Sequence, residues 1–439
     1  MSTPFPTFAE ALRVWLRVGL LSFGGPAAQI AVMHREVVDQ RNWVSDARFL
    51  HALNFCMLLP GPEATQLATY LGWLLHGVKG GIAAGVLFVL PGAAVMLALS
   101  ILYATLGAVP IVAALFFGLK CAVLVLVIEA LLRVAKRALH GLTPWLLAGA
   151  AFLALAVFSV PFPLVVLAAL GFGYAAPGAF VATGHGKAKE GRPSLLDATI
   201  AAEPDRIARL APAARRAGLA ILALWLWPVM LLLGTPVWGD IAWFFSKMAV
   251  VTFGGAYAVL AYVAQEAVEN YGWLSAAEML AGLGLAETTP GPLILVLQFV
   301  GFLAGFREAG MMGGVMGSAL TLWVTFAPCL AWIFLGAPLV ERMHEAPRLK
   351  GALAGVTAAV VGVIASLALW FGLRVMFAEV HSVPLGPAAI DLPVLASAQP
   401  SAFLLGALAA VLLFGLRLGL ARTLAISAGA GLLLSLLSW

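Results

Sequence analysis

Charge is what this chain has least of. Only 10% of its 439 residues are Asp, Glu, Lys or Arg, against about 25% in a soluble globular domain, so a water-soluble enzyme is excluded. Cysteine is scarce as well. Cys56, Cys121 and Cys329 all lie in apolar stretches without a C-x-x-C spacing, which excludes a disulfide scaffold or a thiolate metal site and leaves them as small packing residues. The seven histidines (His34, His51, His76, His140, His185, His344 and His381) have no metal-ligand spacing. No metal and no cofactor is therefore expected. The chain contains no G-x-x-x-x-G-K-[ST] phosphate loop, so it encodes no ATP-driven motor. Met1 to Glu10 lack the cationic start of a signal peptide, and the N-terminus is expected to be retained.

What is abundant is apolar sequence, at 63%. Runs long enough to span or enter a bilayer fall at 8–33, 49–75, 79–106, 109–136, 142–158, 161–177, 217–234, 238–264, 277–305, 311–336, 350–376, 399–416 and 420–438, giving thirteen hydrophobic segments. The fold class is an all-α integral membrane protein. The formal charge of +5 reflects cations in short loops, the positive-inside signature, and not nucleic-acid binding. The polar stretch 183–216 carries Lys187, Lys189, Arg192, Arg206, Arg209, Arg215 and Arg216 and reads as a solvated cytoplasmic linker. The chain then divides into a first half (1–182), this linker, a connecting transmembrane helix (217–237) and a second half (238–439). Counting cations places the N-terminus and linker in the cytoplasm. If every segment crosses once, Arg35, Arg41 and Arg48 face outward while Glu266, Glu269 and Glu278 face inward, against the rule. Both conflicts vanish if the first two segments of each half dip in and return on one side. The chain then crosses nine times rather than thirteen, and the sequence leaves that choice open.

One offset stands out when the chain is slid against itself. Phe23-Gly24-Gly25 meets Phe253-Gly254-Gly255, and Pro60-Gly61-Pro62 meets Pro290-Gly291-Pro292, both 230 residues later. Without a gap, 15 of the 41 positions from Ser22 to Pro62 are identical, among them Glu36, Trp43 and Ser45. An odd number of segments precedes the second copy on either count, so the halves enter the membrane from opposite faces. That is an inverted-topology repeat, the architecture of secondary transporters with a site near the midplane.

Each copy carries two breaks inside apolar sequence. Proline stops a helix before Pro60 and Pro290, and Pro62 and Pro292 suit the first position of a new one. Gly24-Gly25 and Gly254-Gly255 let the backbone turn without a Cβ clash. The resulting half-helix starts present N–H groups and a positive dipole end, which suit an oxyanion. The bland alternative is a set of kinks and packing notches, common in membrane helices. Four breaks in matched register, flanked by Ser22, Asn54, Thr65, Gln66, Thr252, Thr288, Thr289 and Gln298, favour binding. Arg17 and Lys247 precede Ser22 and Thr252 by five residues in each copy and are candidate counter-charges, the alternative being that they snorkel to the interface. Glu63 and Glu287 flank the two Pro-Gly-Pro motifs and are candidates to carry a coupling proton. The alternative is stabilisation of a helix end, which suits Glu63 better. Lys120 and Glu129 read as a structural charge pair or as edge residues.

These motifs resemble the chromate ion transporters in their long two-domain form. The resemblance rests on Ser22-Phe23-Gly24-Gly25-Pro26, Arg35-Glu36-Val37-Val38, Trp43 with Ser45, and Leu59-Pro60-Gly61-Pro62-Glu63-Ala64-Thr65-Gln66. Their counterparts are Phe253-Gly254-Gly255-Ala256-Tyr257, Gln265-Glu266, Trp273-Leu274, and Glu287-Thr288-Thr289-Pro290-Gly291-Pro292. It implies proton- or potential-coupled efflux of chromate across the cell (inner) membrane, conferring chromate resistance, with sulfate as the look-alike ion. The substrate-binding residues expected are Arg17, Ser22, Gly24, Gly25, Gly61, Thr65, Gln66, Lys247, Thr252, Gly254, Gly255, Thr288, Thr289 and Gly291. The expected partners are a chromate or sulfate-like oxyanion and the lipid bilayer, with a homodimer left open. Two other readings stand beside it: a carrier of sulfate or another oxyanion, and a membrane-embedded enzyme using Glu63 and Glu287 as acid and base. Against the enzyme, no nucleophile, metal cluster or phosphate loop accompanies the carboxylates.

Overall fold

The computed structural model describes residues 5–180, 194–253, 256–338, 347–386 and 388–437. In chain order the helices are α1 (Phe8–Leu21), α2 (Pro26–His34), α3 (Asp46–Cys56), α4 (Glu63–Leu106), α5 (Pro110–Ala138), α6 (Leu142–Ala156), α7 (Phe162–Ala175), α8 (Leu195–Ala202), α9 (Arg206–Leu232), α10 (Trp238–Val251), α11 (Ala256–Gln265), α12 (Ala276–Thr288), α13 (Val296–Gly336), α14 (Pro347–Met376), α15 (Pro400–Ala410) and α16 (Leu420–Leu437). Helix dominates because hydrocarbon offers the backbone no hydrogen-bond partners, so each segment must satisfy its own. Among the described residues six helices are long and apolar enough to span a membrane: α4, α5, α9, the stretch Leu293–Gly336, α14 and α16. The protein is thus an α-helical, multi-pass membrane protein.

Two of these spans are 44 residues long, about 66 Å if straight, twice the hydrocarbon thickness. They are hairpins. In α4 the chain reverses at His76 and Gly77, the latter at φ 63°, and in α13 at Ala309 and Gly310, also at φ 63°. A Cβ on Gly72 would lie 2.4 Å from the Gly80 carbonyl oxygen, and one on Gly305 would lie 2.2 Å from that of Gly313. Residues eight apart in a straight helix are about 12 Å apart, so the arms fold back on each other with room only for glycine. The sequence divided these stretches at 75/79 and 305/311, close to the turns.

The described residues form two compact units, each drawing on both halves of the sequence: 1–98, 184–255 and 289–345, and 99–183, 256–288 and 346–439. In the first unit, α8 docks on the loop after α2. Leu195 and Leu196 donate their N–H groups to the carbonyls of Asn42 and Trp43, both at 3.0 Å. Ser194 caps α8 through the Asp197 N–H, and Arg48 Nε donates to Asp197 at 2.8 Å. Arg206, at the start of α9, donates to the Leu75 carbonyl at 2.9 Å. The stretch expected to be a solvated linker is therefore helical from Leu195 to Ala202 and again from Arg206, while 183–193 lies outside the described residues. Ala, Arg and Leu between 206 and 217 are strong helix formers, so the connecting helix begins well before the apolar run does.

In the second unit, α14 lies along α6 and α7 at small residues: a Cβ on Gly173 would fall 2.2 Å from the Gly351 oxygen, and one on Gly362 2.0 Å from that of Ala148. An antiparallel hairpin, β1 (Val380–Leu385) and β2 (Ala388–Pro393), follows α14 and was not anticipated. Its strands, six residues each, are too short to register as membrane-length apolar runs. Arg374 ties it down, reaching Asp391 at 2.9 Å and Glu269 at 3.4 Å. Lys120 and Glu129 do not pair. Nine residues put them on opposite faces of α5, and Glu129 instead pairs with Arg133 one turn on.

Candidate functional site

Three of the four breaks lie wholly within the described residues of the first unit. α1 ends at Leu21; Ser22, Phe23 and Gly24, at φ 84°, turn the chain, and Gly25 caps α2 with Pro26 at its first position and no side-chain cap. At the two Pro-Gly-Pro motifs Gly61 and Gly291 sit at φ 115° and 90°. That left-handed backbone costs a side-chain-bearing residue roughly 1–2 kcal/mol, so glycine is required there. Gly254 and Gly255 lie outside the described residues.

The breaks meet across the repeat. Gly61 N–H donates to the Thr252 carbonyl at 2.9 Å, and Gly291 N–H donates to the Ser22 carbonyl at 2.6 Å. The second bond is the first with both partners exchanged by 230 residues. Each Pro-Gly-Pro motif thus binds the end of the helix that precedes the Gly-Gly break of the other half. Gln29 adds to one junction only: its Nε2 donates to the Gly24 carbonyl at 2.7 Å and to the Gly291 carbonyl at 2.8 Å. Two carbonyl acceptors fix the orientation of that amide. Its counterpart is Val259, which is buried and carries no donor.

Ser22 and Thr252 contribute backbone carbonyls. Their hydroxyls are bonded back into their own helices, to the Val18 and Met248 carbonyls. Thr65 and Gln66 are fully buried in the first turn of the helix that follows the first Pro-Gly-Pro. Gln66 Nε2 donates to the Pro60 carbonyl at 2.7 Å, while Thr65 Oγ1 and Gln66 Oε1 have no partner. Thr289 is buried, and Thr288 turns its hydroxyl to the Leu285 carbonyl. Lys247 is half-buried on α10.

Arg17 does not stand alone as a cation. It lies 3.3 Å from Glu36, which is fully buried and also holds Arg41 at 2.6 Å. A buried carboxylate needs such partners to stay charged. Glu36 was visible in the sequence as one of the repeated identities, but its partners were not. Glu63 heads α4. In the second unit, Glu287 is buried near the end of α12 and accepts a hydrogen bond from the Tyr257 hydroxyl.

A family model described as chromate transporter matches residues 9–174 and again 239–434, two matches whose starts are 230 residues apart. The chain is 35% identical over 367 residues to a chromate transport protein of Pseudomonas aeruginosa, covering 82% of this chain and 80% of that one. It is 28% identical over 364 residues to a chromate transport protein of Cupriavidus metallidurans, covering 83% and 82%. It is 25% identical over 371 residues to an uncharacterized transporter of Methanocaldococcus jannaschii, covering 84% and 86%. No solved structure matches the chain.

Proposed function

The chain belongs to the chromate transporter family, and on that premise we propose that it is a secondary transporter that exports chromate across the cell (inner) membrane and so confers chromate resistance. The observation that carries this reading is the reciprocal pair of junctions, Gly61 with Thr252 and Gly291 with Ser22. Broken helices that meet in pairs bring half-helix starts, with their N–H groups and positive dipole ends, into apolar sequence where an anion would otherwise find no solvation. Gly24, Gly25, Gly61, Thr65, Gln66, Thr252, Thr289 and Gly291 supply that environment. Gly254, Gly255 and Thr288 complete the set by their place in the repeat. Arg17 and Lys247 provide positive charge, Arg17 by exchanging Glu36 for the substrate. Glu63 and Glu287 carry the coupling proton.

The topology we propose is an inverted repeat with nine crossings. α1 and α2 have 14 and 9 residues, about 21 and 14 Å at 1.5 Å per residue, and neither spans the hydrocarbon. The loop after α2 bonds to α8, and the start of α9 bonds to Leu75 at the hairpin turn. Both ends of the first two re-entrant pairs then lie on the linker side, which puts Arg35, Arg41 and Arg48 in the cytoplasm as the charge rule demands. Glu266 and Glu269 fall on the opposite side with the β-hairpin.

Radiolabelled chromate flux in everted vesicles tests the function. The expected result is uptake into everted vesicles, driven by a pH gradient or potential and partly competed by unlabelled sulfate. Sulfate uptake without chromate uptake would reassign the substrate. Absence of both would remove the transport reading.

A further inference from the structure

The two junctions are related by the repeat, but they are not chemically alike. At the second, the first turn after the break carries no polar side chain, and the nearest buried amide, Gln298, lies further along α13 and donates to the Ala93 carbonyl and to Ser318, with its Oε1 unpartnered. The backbone of Pro290 lies so close to Gly92 that a Cβ there would fall 2.0 Å from the Pro290 oxygen. A 3₁₀ turn, Leu293–Leu295, leads into α13 at Val296, all four side chains apolar and buried, and Gln29 holds Gly24 and Gly291 together with two hydrogen bonds. At the first, the helix begins Glu63-Ala64-Thr65-Gln66. Thr65 Oγ1 and Gln66 Oε1 are buried there without partners. The Gln66 amide stands at the break itself, 3.2 Å from where a Gly61 Cβ would be, with Cys329 Sγ at 2.8 Å from the same point. At the sequence position 230 residues after Gln29 stands Val259, buried and without a side-chain donor.

Buried polar atoms without partners are rare, because each forfeits the hydration it had in water. Two of them on consecutive residues beside a half-helix start mark a place that a polar ligand completes. We infer that the two junctions have divided their labour: the first, at Gly61, Thr65 and Gln66, is the one that takes the oxyanion, and the second, latched by Gln29, is a fixed anchor. This rests on the transport reading above. The Thr65 hydroxyl and the Gln66 N–H not bonded to Pro60 donate to the anion. Gln66 Oε1 is an acceptor and calls for a hydrogen from the ligand side, so the pocket suits a tetrahedral oxyanion that carries one hydrogen, as its own proton or on a bound water. Gln29 is a positioning residue: it ties Gly24 to Gly291 and does not touch the substrate.

Two measurements on the full chain in lipid nanodiscs or vesicles test the inference. Hydrogen–deuterium exchange compares peptides covering 57–66 and 286–295. The first is expected to exchange at least about tenfold faster and to slow when millimolar sodium chromate is added, the second to be slow with or without it. Gln29→Val is expected to speed exchange at 286–295 and leave 57–66 unchanged, with Gln29→Asn restoring part of the protection. In flux assays Thr65→Val and Gln66→Leu are expected to raise the chromate KM about tenfold, whereas Gln29→Val lowers the maximal rate with KM within twofold of wild type. Equal exchange at the two breaks, protection by chromate only at 286–295, or a KM rise in Gln29→Val matching that of Thr65→Val would overturn the division. Wild-type protein that moves no chromate would defeat the transport reading instead, and the exchange asymmetry would still be decided on its own.

Discussion

At the scale of single residues, Gly61 is held by two independent constraints. Its φ of 115° belongs to the left-handed region, and a Cβ would meet Cys329 Sγ at 2.8 Å. Gly61→Ala should therefore lower thermal stability in detergent by more than the roughly 1–2 kcal/mol of backbone strain alone. Adding Cys329→Ala should recover the steric part and leave the strain. A double variant no more stable than Gly61→Ala would show that the thiol is not the obstacle. Glu287 invites a different experiment. It is a buried carboxylate whose structural partner is the Tyr257 hydroxyl, and an intramembrane carboxylate of this kind is by default a functional one. Replacing it by Gln keeps shape and hydrogen bonding but removes the titration. Chromate binding should survive while the dependence of flux on the pH gradient disappears. Unchanged gradient dependence in Glu287→Gln and in Glu63→Gln would remove both from the coupling role.

Among the elements, α8 is attached through an ion pair, Arg48 with Asp197. Burial acts to raise the Asp197 carboxyl, but hydrogen bonds from Ser194, Ser45 and Arg48, with the Arg48 charge, outweigh it and hold the group below its ordinary value. A depressed carboxylate adds stability that is fully present above its unfolded value and is lost as pH falls through the folded one. The docking of α8 should thus be intact at pH 7 and pH 5 and weaken only below about pH 4, the ordinary carboxylate range. Hydrogen exchange across 194–202 measures this. Asp197→Asn should show weak protection at every pH, and a wild-type loss of protection already at pH 6 would contradict the assignment. The hairpins of α4 and α13 are held differently, by backbone approach at Gly72 with Gly80 and Gly305 with Gly313.

For the whole molecule, the proposed nine crossings fix the side of every loop. Cysteines placed at Asp39 and Ala201 should resist a membrane-impermeant thiol reagent in intact cells and react after permeabilisation, while one at Asn270 should react at once. Thirteen crossings reverse Asp39 and Asn270. External labelling at Ala201 would overturn the orientation altogether.

Much of this was legible in the residues themselves. A chain with so little charge can only be a membrane protein, because its apolar runs have no other solvent, and the 230-residue offset is a property of the letters alone. The positions of the breaks were legible too, since proline and glycine act on the local backbone: Pro60, Pro290, Gly24, Gly61 and Gly291 all lie at turns or at the start of a new helix. The hairpin turns at Gly77 and Gly310 were marked only as gaps between apolar runs. What folding decided is who meets whom. Nothing in the sequence says that the Gly61 N–H would find Thr252 and the Gly291 N–H would find Ser22, because residues some 190 and 270 apart are joined only by tertiary packing. The same holds for Glu36, repeated in sequence yet given its meaning by Arg17 and Arg41, and for Gln29, one buried amide among many until two carbonyls from distant breaks converge on it. Local conformation follows from covalent chemistry a few bonds away, whereas a hydrogen bond between distant segments exists only once both have been carried to the same place.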